Sequence, residues 1–150
     1  ARAKALELST NSAQIGVGPR HATGKPLLAH DEQAAIDVVG DMPSAATYGL
    51  SKHAVARAVR SRAHEWGTAG LRLHALAPPP TATPPPQGVR DNPDLKGALE
   101  NIPVPLDRTA NVDEIANIIV MMVSEAFSFM HGSVLYVDGG TDAVVRPDQF

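Results

Sequence analysis

The stretch Tyr48-Gly-Leu-Ser-Lys52-His-Ala-Val-Ala-Arg-Ala-Val-Arg-Ser-Arg-Ala-His-Glu-Trp66 has the spacing of one long amphipathic helix. Val55, Ala56, Val59, Ala63 and Trp66 recur at helical intervals and would face a sheet, while Arg57, Arg60, Arg62 and His64 would stand mostly in solvent. Ser44, after Pro43, is a suitable N-cap, and Gly67 and Gly70 end the helix. Tyr48 and Lys52 are four apart and so share a face. A free phenol titrates at about pH 10. A cation held beside it favours the phenolate and equips the tyrosine to exchange a proton with an alcohol or carbonyl. The same pair also fits a plain surface helix with a lysine stem lying along it.

Downstream, Leu71-Arg-Leu-His-Ala-Leu-Ala77 alternates apolar residues and then breaks at Pro78-Pro-Pro80-Thr-Ala-Thr83-Pro84, as a buried strand ending in a loop would. Asn111 to Val123 has an acidic first turn and then a nearly continuous apolar run, which predicts a buried helix with Met121 and Met122 in the core. Asp94 to Asn101 reads as a short helix. Val134-Leu-Tyr-Val137 reads as a last strand, and Asp138-Gly139-Gly140 as its tight exit turn. Upstream, Ala3 to Ser9 is short and apolar enough for a strand and runs into the polar cluster Thr10-Asn11-Ser12. These elements predict an α/β chain with three parallel strands near Leu6, Leu73 and Leu135, joined by crossover helices.

The order of these motifs resembles the second half of a short-chain dehydrogenase/reductase, over about Leu8 to Phe150. That family's Tyr-x-x-x-Lys helix is followed by a strand ending Asn-x-x-x-Pro-Gly with a threonine soon after, and later by a Val-Asp-Gly-Gly strand end. The tail from Val137 to Phe150 is most similar to that of the hydroxysteroid-oxidising members. The resemblance implies the C-terminal part of a doubly wound, Rossmann-type parallel sheet, without the N-terminal nucleotide-binding half. It implies NAD or NADP as cofactor, with the choice unreadable, and a secondary alcohol or its ketone as substrate. Tyr48 would exchange the proton, and Lys52 would bind ribose hydroxyls and lower the tyrosine pKa. Thr10, or its neighbour Ser12, would orient the substrate oxygen. Pro78, Thr81 and Thr83 would lie along the nicotinamide end of the cofactor.

The chain also departs from the family's pattern. His74 stands where asparagine is usual, and Pro79 replaces the glycine of Pro-Gly, removing an N-H and fixing φ where the family's backbone is unrestricted. Thr10 and Tyr48 are separated by 38 positions, so about residues 16–43 form an insertion, with a helical patch at Glu32 to Val39 ending at Gly40. Gly16-Val-Gly18 lacks the third glycine of a phosphate loop. The family's strand, glycine-rich turn and helix for the pyrophosphate are not in this sequence. The isolated chain is therefore expected to be inactive, and the alternative to an enzyme is a truncated, non-catalytic remnant or subunit that folds with a partner chain.

The 150 residues can form one domain. With 43% hydrophobic residues and a formal charge of -3, the chain lacks the basic field that nucleic acid requires. No apolar run approaches the ~18 residues of a membrane span. Zero cysteines excludes disulfides and thiolate metal sites and agrees with a cytoplasmic default. The six histidines show no metal-ligand spacing, so no metal is assigned. The family's habit of associating implies a homo-oligomer, and the aliphatic stripe of the Tyr48 helix is one surface for it.

Overall fold

The computed structural model describes residues 4–8, 26, 28, 29, 31–79, 81, 82, 84 and 87–148, with backbone alone at 4–8, 89, 94, 95, 98 and 99. Three strands, β1 (Lys4–Leu8), β2 (Arg72–Ala77) and β3 (Val134–Tyr136), form one sheet in the order β1-β2-β3. Both pairings are parallel, with Leu6 opposite His74 and Leu76 opposite Leu135. The helices are α1 (Glu32–Val39), α2 (Ser44–Ser61), α3 (Ala63–Thr68), α4 (Gln87–Arg90), α5 (Pro93–Glu100), α6 (Val112–Val123) and α7 (Thr141–Val145). A 3-10 turn at Glu125–Phe127 follows α6. The three expected strands and the α/β class are present. Among the described residues no strand pairs with the outer edge of β1.

All six residues of β2 are buried, as the centre of a parallel sheet covered on both faces must be. Side chains alternate across it. Leu73 and Ala75 pack against Val59 of α2, with Trp66 and Val134 completing the cluster. On the other face, Arg72 reaches the end of α6. Ala54 and Ala56 of α2 are buried along with Val59 and Leu50, and small side chains there let the helix lie close to the sheet. Each fully buried Val or Leu contributes about 1.5–3 kcal/mol.

Several local expectations are corrected. The Tyr48 helix does not run unbroken to Trp66, because it ends at Ser61 and restarts at Ala63 after Arg62, whose φ of -91° and ψ of 2° leave the helical region. Trp66, beyond the break, packs against Val59 and Leu73. Ser44 is the first helical residue and not the cap; Pro43 precedes it without a side-chain cap bond, and the Ser44 hydroxyl instead accepts from Asn92 at 3.0 Å. Arg57 and Arg62 are half-buried.

α6 is not buried all round: Met122 is fully buried, but Met121 is 46% and Val120 65% exposed. Its start is a capping box, in which Asn111 accepts from the Asp113 amide and Glu114 accepts from the Asn111 amide. In the expected insertion, α1 matches the Glu32 to Val39 patch and is capped by Asp31, which accepts from the Ala34 amide at 3.0 Å. Gly16 to Gly18 lie outside the described residues.

Candidate active site

Helix α2 carries the Tyr48 and Lys52 pair at one end of the sheet. Its later half, at Val59, packs on Leu73 and Ala75 in the first part of β2, while its first residue bonds Asn92, beyond the end of β2. The helix therefore runs antiparallel to the strands, and Tyr48, in its second turn, stands toward their carboxyl ends. Ligands of open α/β sheets bind there. The Lys52 ammonium lies 5.6 Å from the centre of the Tyr48 ring. Tyr48 is 37% exposed, so its phenol is open to a ligand, while the neighbouring Gly49 and Leu50 are buried and fix the helix. A phenol and a cation so placed can pass a proton to, or take one from, a bound oxygen.

The loop after β2 is pinned to the segment before α6. Thr81 pairs with Ala110 as an isolated parallel bridge, the Ala82 amide donates to the Ala110 carbonyl at 3.0 Å, and the Thr81 hydroxyl donates to the Pro79 carbonyl at 3.2 Å. Pro78 is half-buried and Pro79 buried. Pro79 opens onto a cleft of about 500 Å³ walled by Val104, Pro105, Leu106 and Ile115 and floored by Tyr136 to Gly140. Pro78, Thr81, Tyr48 and Lys52 do not line this cleft. Thr10, Ser12 and Thr83 lie outside the described residues, so of the expected site only Tyr48, Lys52, Pro78 and Thr81 are located.

Beside the cleft, polar groups are committed to structure. The Asp138 carboxylate accepts from the amides of Gly140 (2.9 Å) and Asp142 (2.7 Å), and Gly139 and Gly140 take φ of 66° and 94°, the left-handed region that glycine enters without strain. This is the expected exit turn, and it also caps α7. The Tyr136 hydroxyl accepts from Arg146 at 3.2 Å, and Arg146 is paired with Asp142 at 2.6 Å. Burial pushes the Tyr136 phenol up, and the nearby Asp142 and Asp138 add to this against the pull of Arg146. Tyr136 thus stays protonated and is a poor base.

Arg72 and His74 were not legible as partners in sequence. Arg72 is 8% exposed and donates to the carbonyls of Met122 (3.2 Å), Ser124 (3.2 Å) and Phe127 (2.6 Å), closing the C-terminal end of α6 with a cation. Its partners lie 50 to 55 positions downstream, so no local spacing reveals them. Among the described residues no group of three or more His, Asp or Glu side chains could hold a metal ion. None of the described helices is long and apolar enough to cross a membrane.

The sheet, the Tyr-x-x-x-Lys helix and the Asp-Gly-Gly exit define a class. Residues 33–142 match a family model described as enoyl-(acyl carrier protein) reductase, and the chain belongs to the short-chain dehydrogenase/reductase family. Among its relatives is the 3-alpha-hydroxysteroid dehydrogenase/carbonyl reductase of Comamonas testosteroni, 38% identical over 118 residues, covering 79% of this chain and 46% of that protein. The structure of a 3-alpha-hydroxysteroid dehydrogenase from Pseudomonas sp. B-0831 complexed with NADH superposes with a TM-score of 0.90 at 30% identity, covering 100% of this chain and 59% of that one. A structure from Beutenbergia cavernae, described as an NAD(P)-dependent gluconate 5-dehydrogenase with bound NADP at low occupancy, gives a TM-score of 0.63 at 25% identity over 93% of this chain and 46% of that one. The chain thus spans about half the length of the relatives it matches. Its sheet is the C-terminal part of their doubly wound fold.

Proposed function

We propose that this chain is the catalytic half of an NAD(P)-dependent oxidoreductase that interconverts a secondary alcohol and its ketone, with hydroxysteroids as the first substrate class to test. The observation that carries this is the Tyr48 phenol with the Lys52 ammonium 5.6 Å from its ring, at the carboxyl end of the sheet in a chain 38% identical to a hydroxysteroid dehydrogenase. The described residues fit the nicotinamide-ribose end of a dinucleotide: an exposed phenol, a cation one turn away, and the loop of Pro78 to Thr81 beyond β2. When bound, the nicotinamide supplies the hydride acceptor for oxidation and the donor for reduction.

The chain's own residues handle the proton. In oxidation the Tyr48 oxygen takes the hydroxyl proton of the alcohol while the carbinol hydrogen leaves as hydride; in reduction the phenol returns a proton to the carbonyl oxygen. Lys52 holds ribose hydroxyls and supplies positive charge beside the phenol. Thr10 or Ser12 orients the substrate oxygen, and Thr83, with Pro78 and Thr81, borders the cofactor. The segment at about 16–43 is an insertion relative to the family's pattern. We further place the protein in the cytoplasm as a homo-oligomer. The apolar surface left open at Val112, Val120, Met121 and Phe129 supports the association.

A second reading has a specific observation behind it. Pro79 offers no N-H where the family's glycine stands, which favours a non-catalytic remnant or subunit that works only with a partner chain. The deciding experiment joins this chain to the N-terminal portion of the Comamonas testosteroni relative that it does not match. The joined protein is then assayed for steroid alcohol oxidation with NAD+ and NADP+. Turnover with either supports the enzyme; cofactor binding without turnover of any secondary alcohol supports the remnant.

A further inference from the structure

Two imidazoles meet where β2, α3 and the lead-in to β3 join. The His131 ring is wedged between backbone groups: the Leu73 amide donates to its Nδ1 at 3.1 Å, and its Nε2 lies 2.7 Å from the Ala63 carbonyl. An amide can only donate and a carbonyl only accept, so the partners require a bare Nδ1 and a hydrogen on Nε2, the neutral ring. The ring stands in for a rung of the sheet, since Gly132 donates to the Leu73 carbonyl and Ala75 to the Ser133 carbonyl just beyond it, both at 2.9 Å. Its seat is shaped by glycine. A Cβ at Gly67 would come within 3.4 Å of Nε2, and one at Gly132, whose φ is +66°, within 3.0 Å of the Ala63 side chain.

His74 lies edge-to-face with this ring, 6.3 Å between centres, and is 1% exposed. Arg72 Nη1 is 3.4 Å from its Nε2. A guanidinium only donates, which puts the His74 hydrogen on Nδ1, and that atom is buried with no partner among the described residues. Burial first, then the Arg72 cation, holds the His74 imidazole below its ordinary proton affinity.

We propose that His74 and His131 form an acid-sensitive joint, in which a proton arriving on either ring releases α3 and the lead-in of β3 from the start of β2. A proton on His131 Nδ1 would set two N-H groups against each other and break the Leu73 rung. A proton on His74 would place a second cation beside Arg72. Among the described side chains, charged groups approach the joint from several elements. From β2 comes the Arg72 cation; from the end of α6 come carbonyls already taken by Arg72; on α3, His64 and Glu65 point to solvent. Arg62 and Glu125, at the adjoining turns, have interactions of their own. The unfolded chain takes up a proton that the buried His74 refuses. The folding equilibrium therefore weakens as pH falls below about 6.5, by up to tenfold per pH unit.

Amide hydrogen exchange of the unmodified chain between pH 7.5 and 5.0 reads the joint directly. After correction for intrinsic rates, Leu73 protection is expected to fall at least tenfold more than that of Leu76, deeper in β2. A His131→Gln variant can accept from Leu73 and donate to Ala63 but cannot titrate, and should lose less stability over the same range. Leu73 and Leu76 protection that track each other across the range would overturn the proposal, even where His131→Gln does not fold; so would a folded His131→Gln whose stability follows pH as the parent's does.

Discussion

The Lys52 ammonium stands 5.6 Å from the centre of the Tyr48 ring, one turn along α2. The two side chains share a face because of the helical period, and the anchoring of Leu50 and Ala54 keeps that face at the carboxyl end of the sheet. Lys52→Met in the joined protein is expected to weaken NAD(P)H binding roughly tenfold or more, the worth of a lost charge-assisted hydrogen bond. Fluorescence titration measures it, and an unchanged affinity would remove Lys52 from the cofactor site.

Pro79 gives an independent handle on the same site. Restoring the family's glycine, as Pro79→Gly, returns an N-H and frees φ where the loop is pinned to Ala110. In the joined protein, NAD(P)H should bind more tightly to this variant than to the parent. Equal affinities would mean that the loop no longer serves the cofactor.

Arg72 tests the packing beneath the site. Arg72→Met fills the space but takes the guanidinium away from the carbonyls of Met122, Ser124 and Phe127, of which Ser124 and Phe127 keep a backbone amide donor. The expected loss is about 3 kcal/mol, read from the midpoint of denaturant unfolding. Arg72→Lys, a point charge without the planar fork, should recover part of it.

Glu114 sets an acid limb of stability distinct from the histidine joint. Its bidentate bonds from Arg108, at 2.7 and 2.8 Å, and the bond from the Asn111 amide hold its carboxyl down to about 2, from 4.5. A depressed carboxylate contributes stability that is complete above its unfolded value and lost as pH falls through the folded one. The window is therefore about pH 4.5 down to about 2. Glu114→Gln should flatten the unfolding curve in that window and nowhere above it. The pair is exposed, so salt should shrink the effect. A carboxyl titrating at its ordinary value by NMR would contradict the assignment.

What sequence could reveal followed local periodicity. The spacing of Val59 and Trp66, the apolar run of β2 and the Asp138 exit turn are set by neighbours along the chain, and the three parallel strands follow from them. The break at Arg62 carries no proline or glycine, and what turns Trp66 inward is its packing on Val59 and Leu73. In α6 the apolar run is continuous, so periodicity could not separate buried Met122 from exposed Met121; which face is covered depends on what the sheet offers. Arg72 and His131 were silent because their partners are backbone atoms distant in sequence. The shared face of Tyr48 and Lys52 was legible from spacing, but a role for the pair came only with the resemblance carried by the motifs after it, and Thr10, Ser12 and Thr83 lie outside the described residues.

Tyr48→Phe in the joined protein removes only the oxygen proposed to move the proton, while the ring and the buried Leu50 anchor remain. Steady-state oxidation of a secondary steroid alcohol should fall by at least about 10²-fold, the usual contribution of a general acid-base group, with NAD(P)H affinity changed little. Turnover near that of the parent would contradict the account.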